Sequence, residues 1–147
     1  MKLAALGAFR SGSVVVRGVE VAVLPASQAL MDALYALFPR PMPPLRQNPA
    51  KGSLAPPEPD ELDPAYREEV LRWARRTDYI EIAAALDVEV EINGAAVTCR
   101  SDPAALKAWA ERAGPMVAES FTREELRRVY DEVRRVADGF EGAAVKN

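Results

Sequence analysis

The chain has no histidine and a single cysteine. Without histidine it lacks the commonest general base, the commonest zinc ligand and the serine–histidine–acid arrangement. An enzyme built from carboxylates, lysine or tyrosine remains chemically open, but no GxGxxG, P-loop or GxSxG sequence occurs. A non-enzymatic protein without cofactor or metal is therefore expected. The lone Cys99 has no partner for an intrachain disulfide, so the chain reads as one of a reducing, cytoplasmic compartment. No apolar run approaches the roughly 20 residues that span a bilayer, so no membrane is expected. The opening MKLAALGAF carries a lysine and a short apolar stretch, but no full apolar region with a cleavage site before Arg10, and is not read as a signal peptide. A basic surplus is also missing. Lysine and arginine total 19 against 22 acids, for a net charge of −3. Residues 1–60 hold six basic and four acidic side chains, and residues 61–147 hold thirteen and eighteen. Neither part has the electrostatic footprint of a nucleic-acid binder.

What is present in excess is proline, and it is clustered. Eight of twelve prolines lie between Pro39 and Pro59, in PRPMPPLRQNPAKGSLAPPEP. Proline fixes φ and donates no backbone hydrogen bond, so this stretch neither continues a helix nor fills a central strand. Residues 39–62 are expected to form an extended arm between folded parts. Within it, Met42 and Leu45 set apolar side chains on a preordered backbone, a candidate partner-binding segment. A plain spacer is the alternative.

Around the arm the patterning is regular. Residues 13–24, SVVVRGVEVAVL, read as two short strands about an Arg17-Gly18 turn, with Val19, Val21 and Val23 on one face. Ser27 caps a helix whose apolar stripe is Leu30, Met31, Leu34, Leu37 and Phe38, ended by Pro39. Residues 1–38 thus form a hairpin-plus-helix unit too small to stand alone. Asp63 and Pro64 open a second helix, striped by Tyr66, Val70, Trp73, Thr77, Ile80 and Ala84 and ending near Leu86. Residues 88–99 form a second hairpin about Asn93-Gly94. Asp102 caps a helix that Gly114-Pro115 is expected to stop, although Met116–Ser120 can continue beyond a kink. Thr122 and Glu125 form a capping box, with Phe121 and Leu126 as a hydrophobic staple. The last helix buries Leu126, Val129, Tyr130, Val133 and Val136. Gly139 is its expected end, leaving residues 140–147 as a disordered tail. Residues 63–139 are then a mainly helical domain. The fold class is α+β, mostly α: short β-hairpins packed with four to five helices, interrupted by the Pro-rich arm.

Three side-chain groups invite a functional reading. Arg127-Arg128 and Arg134-Arg135 share a helix face able to meet phosphates. Glu124 and Asp131 stand four residues before Arg128 and Arg135, which favours a solvated, salt-bridged face. Arg72, Arg75 and Arg76 near Asp78 and Glu81 read the same way. Glu89 and Glu91 share a strand face, yet nothing converges with them as a cation requires. Cys99 alternates with Val97 and faces the core, and Trp73 and Trp109 read as core aromatics.

The segment VRGVEVAVLPASQALMDALYALFP resembles the N-terminal part of tail assembly chaperones of long-tailed bacteriophages. AYREEVLRWARRTDYIEIAAAL looks like the Arg-rich helix that follows a variable region in actinophage-type members. The resemblance covers residues 13–38 and 64–86. It implies a non-enzymatic protein that coats the helical tape measure protein and helps recruit tail tube subunits. By that analogy Leu34, Leu37, Phe38, Trp73 and Ile80 are contact candidates, and they are core candidates as well. Such chaperones are often made in two forms by a ribosomal frameshift, and Val145-Lys146-Asn147 is compatible with a slippery A AAA AAC run. The competing readings are another phage structural part, such as a head–tail connector or tail terminator that self-assembles into a homo-oligomer, or a small regulatory, nucleic-acid-binding domain.

Overall fold

In both hairpins the turn chemistry determines the strand register. A computed structural model describes the backbone of residues 11–145 and the side chains of residues 11–138. Arg17 and Gly18 adopt φ of 52° and 76°, and Asn93 and Gly94 adopt 51° and 80°. Two successive positive φ values give the mirror-image turn whose twist matches that of the flanking strands. Strands β1 (Gly12–Val16) and β2 (Val19–Val23) therefore pair antiparallel, with Val16 opposite Val19 and Gly12 opposite Val23. Strands β5 (Val90–Ile92) and β6 (Ala95–Val97) do the same about Asn93-Gly94. The MKLAALGAF segment lies outside the described residues.

Four helices carry the fold among the described residues. In α1 (Gln28–Leu37) the Ser27 hydroxyl accepts from the Leu30 amide at 3.1 Å, as its cap position requires. In α2 (Pro64–Ala85) the Asp63 carboxylate accepts from the Tyr66 amide at 2.9 Å, with Pro64 in the first turn. Asp102 caps a short 3₁₀ turn, Pro103–Ala105, before α3 (Leu106–Ser120) begins. The capping box of α4 (Arg123–Val145) forms as its sequence prescribes. The Thr122 amide donates to Glu125 Oε1 at 2.9 Å, and the Glu125 amide donates to Thr122 Oγ1 at 3.2 Å.

Helix α3 is the hub. It packs on α2, on α1 and on β5. Its Trp109, Ala110 and Ala113 have no exposed surface, and Val117 has 2%. The Trp109 indole donates to the Val88 carbonyl at 2.7 Å, which meets its one polar demand inside the core. Gly114 lets α2 come close: a Cβ there would lie 3.3 Å from Ile80 Cγ1. The β1–β2 hairpin packs on α4, where Gly12 leaves no room for a side chain against Glu132 and Val136.

Several expectations are corrected. Gly114-Pro115 does not end α3, which runs on to Ser120. An internal proline costs a helix one hydrogen bond, but the packed face through Gly114 and Val117 carries the chain past it. Gly139 does not end α4, and the expected tail is helical to Val145, because a glycine permits the left-handed cap without imposing it. Lys146 and Asn147 lie outside the described residues. The described part of the N-terminal unit, too small to stand alone, shares its core with the helical domain. Val16, Val23, Leu34 and Phe38 belong to the same cluster as Ile80, Trp109 and Val129. The Leu24 amide donates to the Ala85 carbonyl at 2.7 Å, and Arg100 reaches the Pro25 carbonyl at 3.1 Å, so backbone ties join the two parts.

The arm stays outside the core, but it is not a straight strap. Strands β3 (Leu45–Arg46) and β4 (Glu58–Pro59) pair antiparallel and close a loop that contains the 3₁₀ turn Pro49–Lys51. The Gln47 side chain donates to the Gly52 and Ala55 carbonyls at 3.1 and 2.7 Å, filling the loop with polar bonds. Lys51 pairs with Glu58 at 2.5 Å. Pro59 has no amide to offer and sits in an edge strand, where none is needed.

Two outcomes test this architecture. Trp109→Ala should lower unfolding free energy by about 3–5 kcal/mol in urea titration. A cost near zero would remove Trp109 from the core. The second concerns Arg17, which grips Glu125 through Nε at 2.9 Å and Nη2 at 2.7 Å. With the Thr122 amide, that grip pulls the Glu125 carboxyl from the usual 4.5 down to about 2. A depressed folded value stabilises above the unfolded value and is lost as pH falls through the folded one. Glu125→Gln should therefore lower Tm at pH 7, with the gap intact above about 4.5 and closing towards pH 2. A gap that does not change with pH would contradict the pairing.

Candidate protein-binding surface

The seven contact candidates fall into three environments. Leu34, Phe38 and Ile80 are buried, with exposures of 4%, 7% and 3%. They lie together between α1 and α2 and belong to the buried core cluster, which is the core side of the two roles the sequence left open for them. Leu37 and Trp73 are half-buried, and the Trp73 indole donates to the Phe38 carbonyl at 2.7 Å. That bond caps the end of α1, where Pro39 supplies no continuing amide. Arg76 lies 4.4 Å above the Phe38 ring and closes the same corner. Met42 and Leu45 are bare, at 84% and 68%.

Three further bare leucines escaped the sequence reading: Leu54 at 99%, Leu62 at 76% and Leu71 at 63%. Leu54 and Leu62 sit singly among small, proline and acidic residues, so no period marks them. Leu71 lies off the apolar stripe of α2 and has the wrong phase for the core. Its phase was the one available signal.

Two grooves flank α2. The groove towards α4 holds about 630 Å³, with Tyr79, Ile82, Leu126 and Tyr130 as its apolar lining. The groove towards α3 holds about 490 Å³ over Ile80, Ala110, Gly114 and Ala118. Arg75 and Tyr79 stand on the ridge and line both. Together the rims carry five arginines (72, 75, 76, 123 and 127) against Asp78, Glu111 and Glu124. This face is thus positive on a chain whose net charge is negative.

The arginine pairs of α4 serve the fold more than a ligand. Arg128 donates to the Val15 carbonyl at 3.2 Å, holding the first hairpin. Arg135 pairs with Glu132 and Arg127 with Glu124, each at i,i+3, not in the expected i,i+4 pairs. Arg134 reaches Glu81 at 3.4 Å and donates to the Tyr130 hydroxyl at 2.9 Å. Glu81 is 8% exposed, and burial pushes its carboxyl above the usual range against the pull of Arg134. Burial likewise raises Asp78 and the Tyr35 phenol.

Cys99 is buried, as expected, and burial lifts its thiol to about 11, so little thiolate forms at neutral pH. Glu89 and Glu91 lie on an exposed face. Among the described residues no group of three or more histidine, cysteine, aspartate or glutamate side chains is placed to hold a metal.

Glu81→Gln keeps the shape and the acceptor for Arg134 but removes a desolvated charge. A raised folded value means that the ionised carboxylate opposes folding at neutral pH and that protonation relieves it. The variant should match or exceed wild-type Tm at pH 7, with the difference shrinking as pH falls to the ordinary carboxylate range. A large loss of Tm at pH 7 would show that the Arg134 pair outweighs the burial cost. Comparison of the chain with protein families, curated proteins and solved structures returns no match.

Proposed function

We propose that this chain is a non-enzymatic, cytoplasmic binding protein that shields apolar segments of a partner during assembly, in the manner of the tail assembly chaperones of long-tailed bacteriophages. One observation carries the reading. Of nine large apolar side chains that stand bare among the described residues, five lie between Met42 and Leu71. Scattered bare apolar residues are ordinary, whereas a concentration in one segment marks an interaction surface. Four of the five sit on the Pro-rich loop or its return, whose backbone is already ordered by the Leu45–Pro59 pairing and the Gln47 bonds. Docking such a loop loses little conformational entropy. The client that fits is an apolar helix, which offers aliphatic side chains without demanding hydrogen bonds. By resemblance it is the tape measure protein, with tail tube subunits recruited afterwards. Among the described residues no helix is long and apolar enough to cross a membrane.

The test uses a fluorescein-labelled alanine–leucine helical peptide with lysine ends for solubility. Its anisotropy should rise on titration with the full chain. Met42→Asp combined with Leu54→Asp should weaken binding about tenfold or more, equivalent to about 1.4 kcal/mol. Both side chains are exposed, so Tm should not move. Equal binding by the wild type and the double variant would end the claim that the loop presents the surface.

A further inference from the structure

The positive groove between α2 and α3 has a counterpart elsewhere on the same molecule. On the groove side, Arg76 is committed to the Phe38 ring. Arg72 and Arg75 are exposed, and neither is ion-paired among the described residues. Between them and α3 lies the apolar floor of Ile80, Ala110, Gly114 and Ala118. On the loop side, Leu62 is 76% exposed and follows Asp60 and Glu61 directly. Neither of those carboxylates is ion-paired among the described residues. The Asp60 carboxylate accepts from the Leu62 amide at 3.2 Å, within the turn that leaves Leu62 facing outwards.

The two patches cannot meet within one chain. Leu62 precedes the first turn of α2, and Arg75 lies thirteen residues on, about 20 Å along the helix at 1.5 Å per residue. The loop is anchored by the Leu45–Pro59 and Arg46–Glu58 pairing on one side and by the Asp63 cap on the other, so it cannot swing back. We propose that the α2–α3 groove receives the Asp60–Leu62 segment of a second copy of this chain. Leu62 fills the apolar floor, and Asp60 and Glu61 meet Arg72 and Arg75. Opposite charges steer the encounter and the leucine supplies the buried area. Plug and socket are different patches, so the contact is head-to-tail, and each added copy leaves one socket and one plug open. A ring or an open chain follows. The inference goes beyond the client-binding reading; the two share Leu62 among their bare residues, but the client test varies Met42 and Leu54 and this one Leu62 and Arg75, so the two fail separately.

The experiment is sedimentation velocity and light scattering of the full chain over a wide range of concentration, at low and high salt. The wild type should grow beyond a dimer as concentration rises, and added salt should reverse much of that growth. Arg75→Glu spoils the socket and Leu62→Asp spoils the plug. Both positions are exposed, and unchanged thermal unfolding would confirm that the variants fold. Each should be monomeric alone. Mixed in equal amounts, they should form a dimer and stop there, because one good plug meets one good socket. A wild type that stays monomeric at every concentration overturns the proposal. So does a wild type that assembles while the mixture does not, since another surface would then be responsible. A monomer that instead retains duplex DNA at low salt through Arg72 and Arg75 assigns the groove to phosphates and also overturns it. If self-association fails while peptide binding persists, only this inference falls.

Discussion

Everything in this molecule rests on the burial of α3. Trp109 sits without exposed surface among residues drawn from both ends of the chain, and its indole finds the Val88 carbonyl. A fully buried tryptophan contributes more apolar area than any other single side chain, and a satisfied N–H removes the penalty of taking it from water. Gly114 and the alanines of the same helix allow α2 to approach, and that approach creates the groove above them. Strand β5 and helix α1 also pack on α3. Core and groove are thus two consequences of one close helix contact.

Around this hub, arginine acts mainly as a staple. Arg17 ties the first hairpin to the start of α4, and Arg128 ties it to the next turn. Arg100 gathers the Ala84 and Pro25 carbonyls and Asp87 into one corner. The planar guanidinium, with five fixed donors, suits such multiple engagement better than lysine. These ties hold the N-terminal unit to a core that it is too small to form alone. Of the arginines they leave over, Arg72, Arg75 and Arg123 lie around the grooves of α2.

Local signals were legible wherever one or two residues decide the backbone. The Arg17-Gly18 and Asn93-Gly94 turns, the Ser27 and Asp63 caps and the Thr122–Glu125 box each stand where the sequence places them. Each has its partner within three residues, so no tertiary context is needed to complete it. Breakers were less reliable. Gly114, Pro115 and Gly139 all lie inside helices, because packing can outweigh the loss of one hydrogen bond or a weak propensity. Of the candidate surface, Met42 and Leu45 were found by their proline context. Leu34, Phe38 and Ile80 carry the same apolar signature as contact residues and are buried in the core.

The sequence alone determined the two glycine-turn hairpins, the presence of the four described helices, the caps at Ser27, Asp63 and Thr122, the α+β class dominated by helix, and the exclusion of histidine-based chemistry. These follow from covalent preferences and from spacing along the chain. Only the tertiary structure decided that the residues before and after the prolines share one core, that the proline segment folds back on itself, and which leucines stay bare. Exposure is a property of what the rest of the chain leaves uncovered. An isolated leucine such as Leu54 or Leu62 carries no local mark of it.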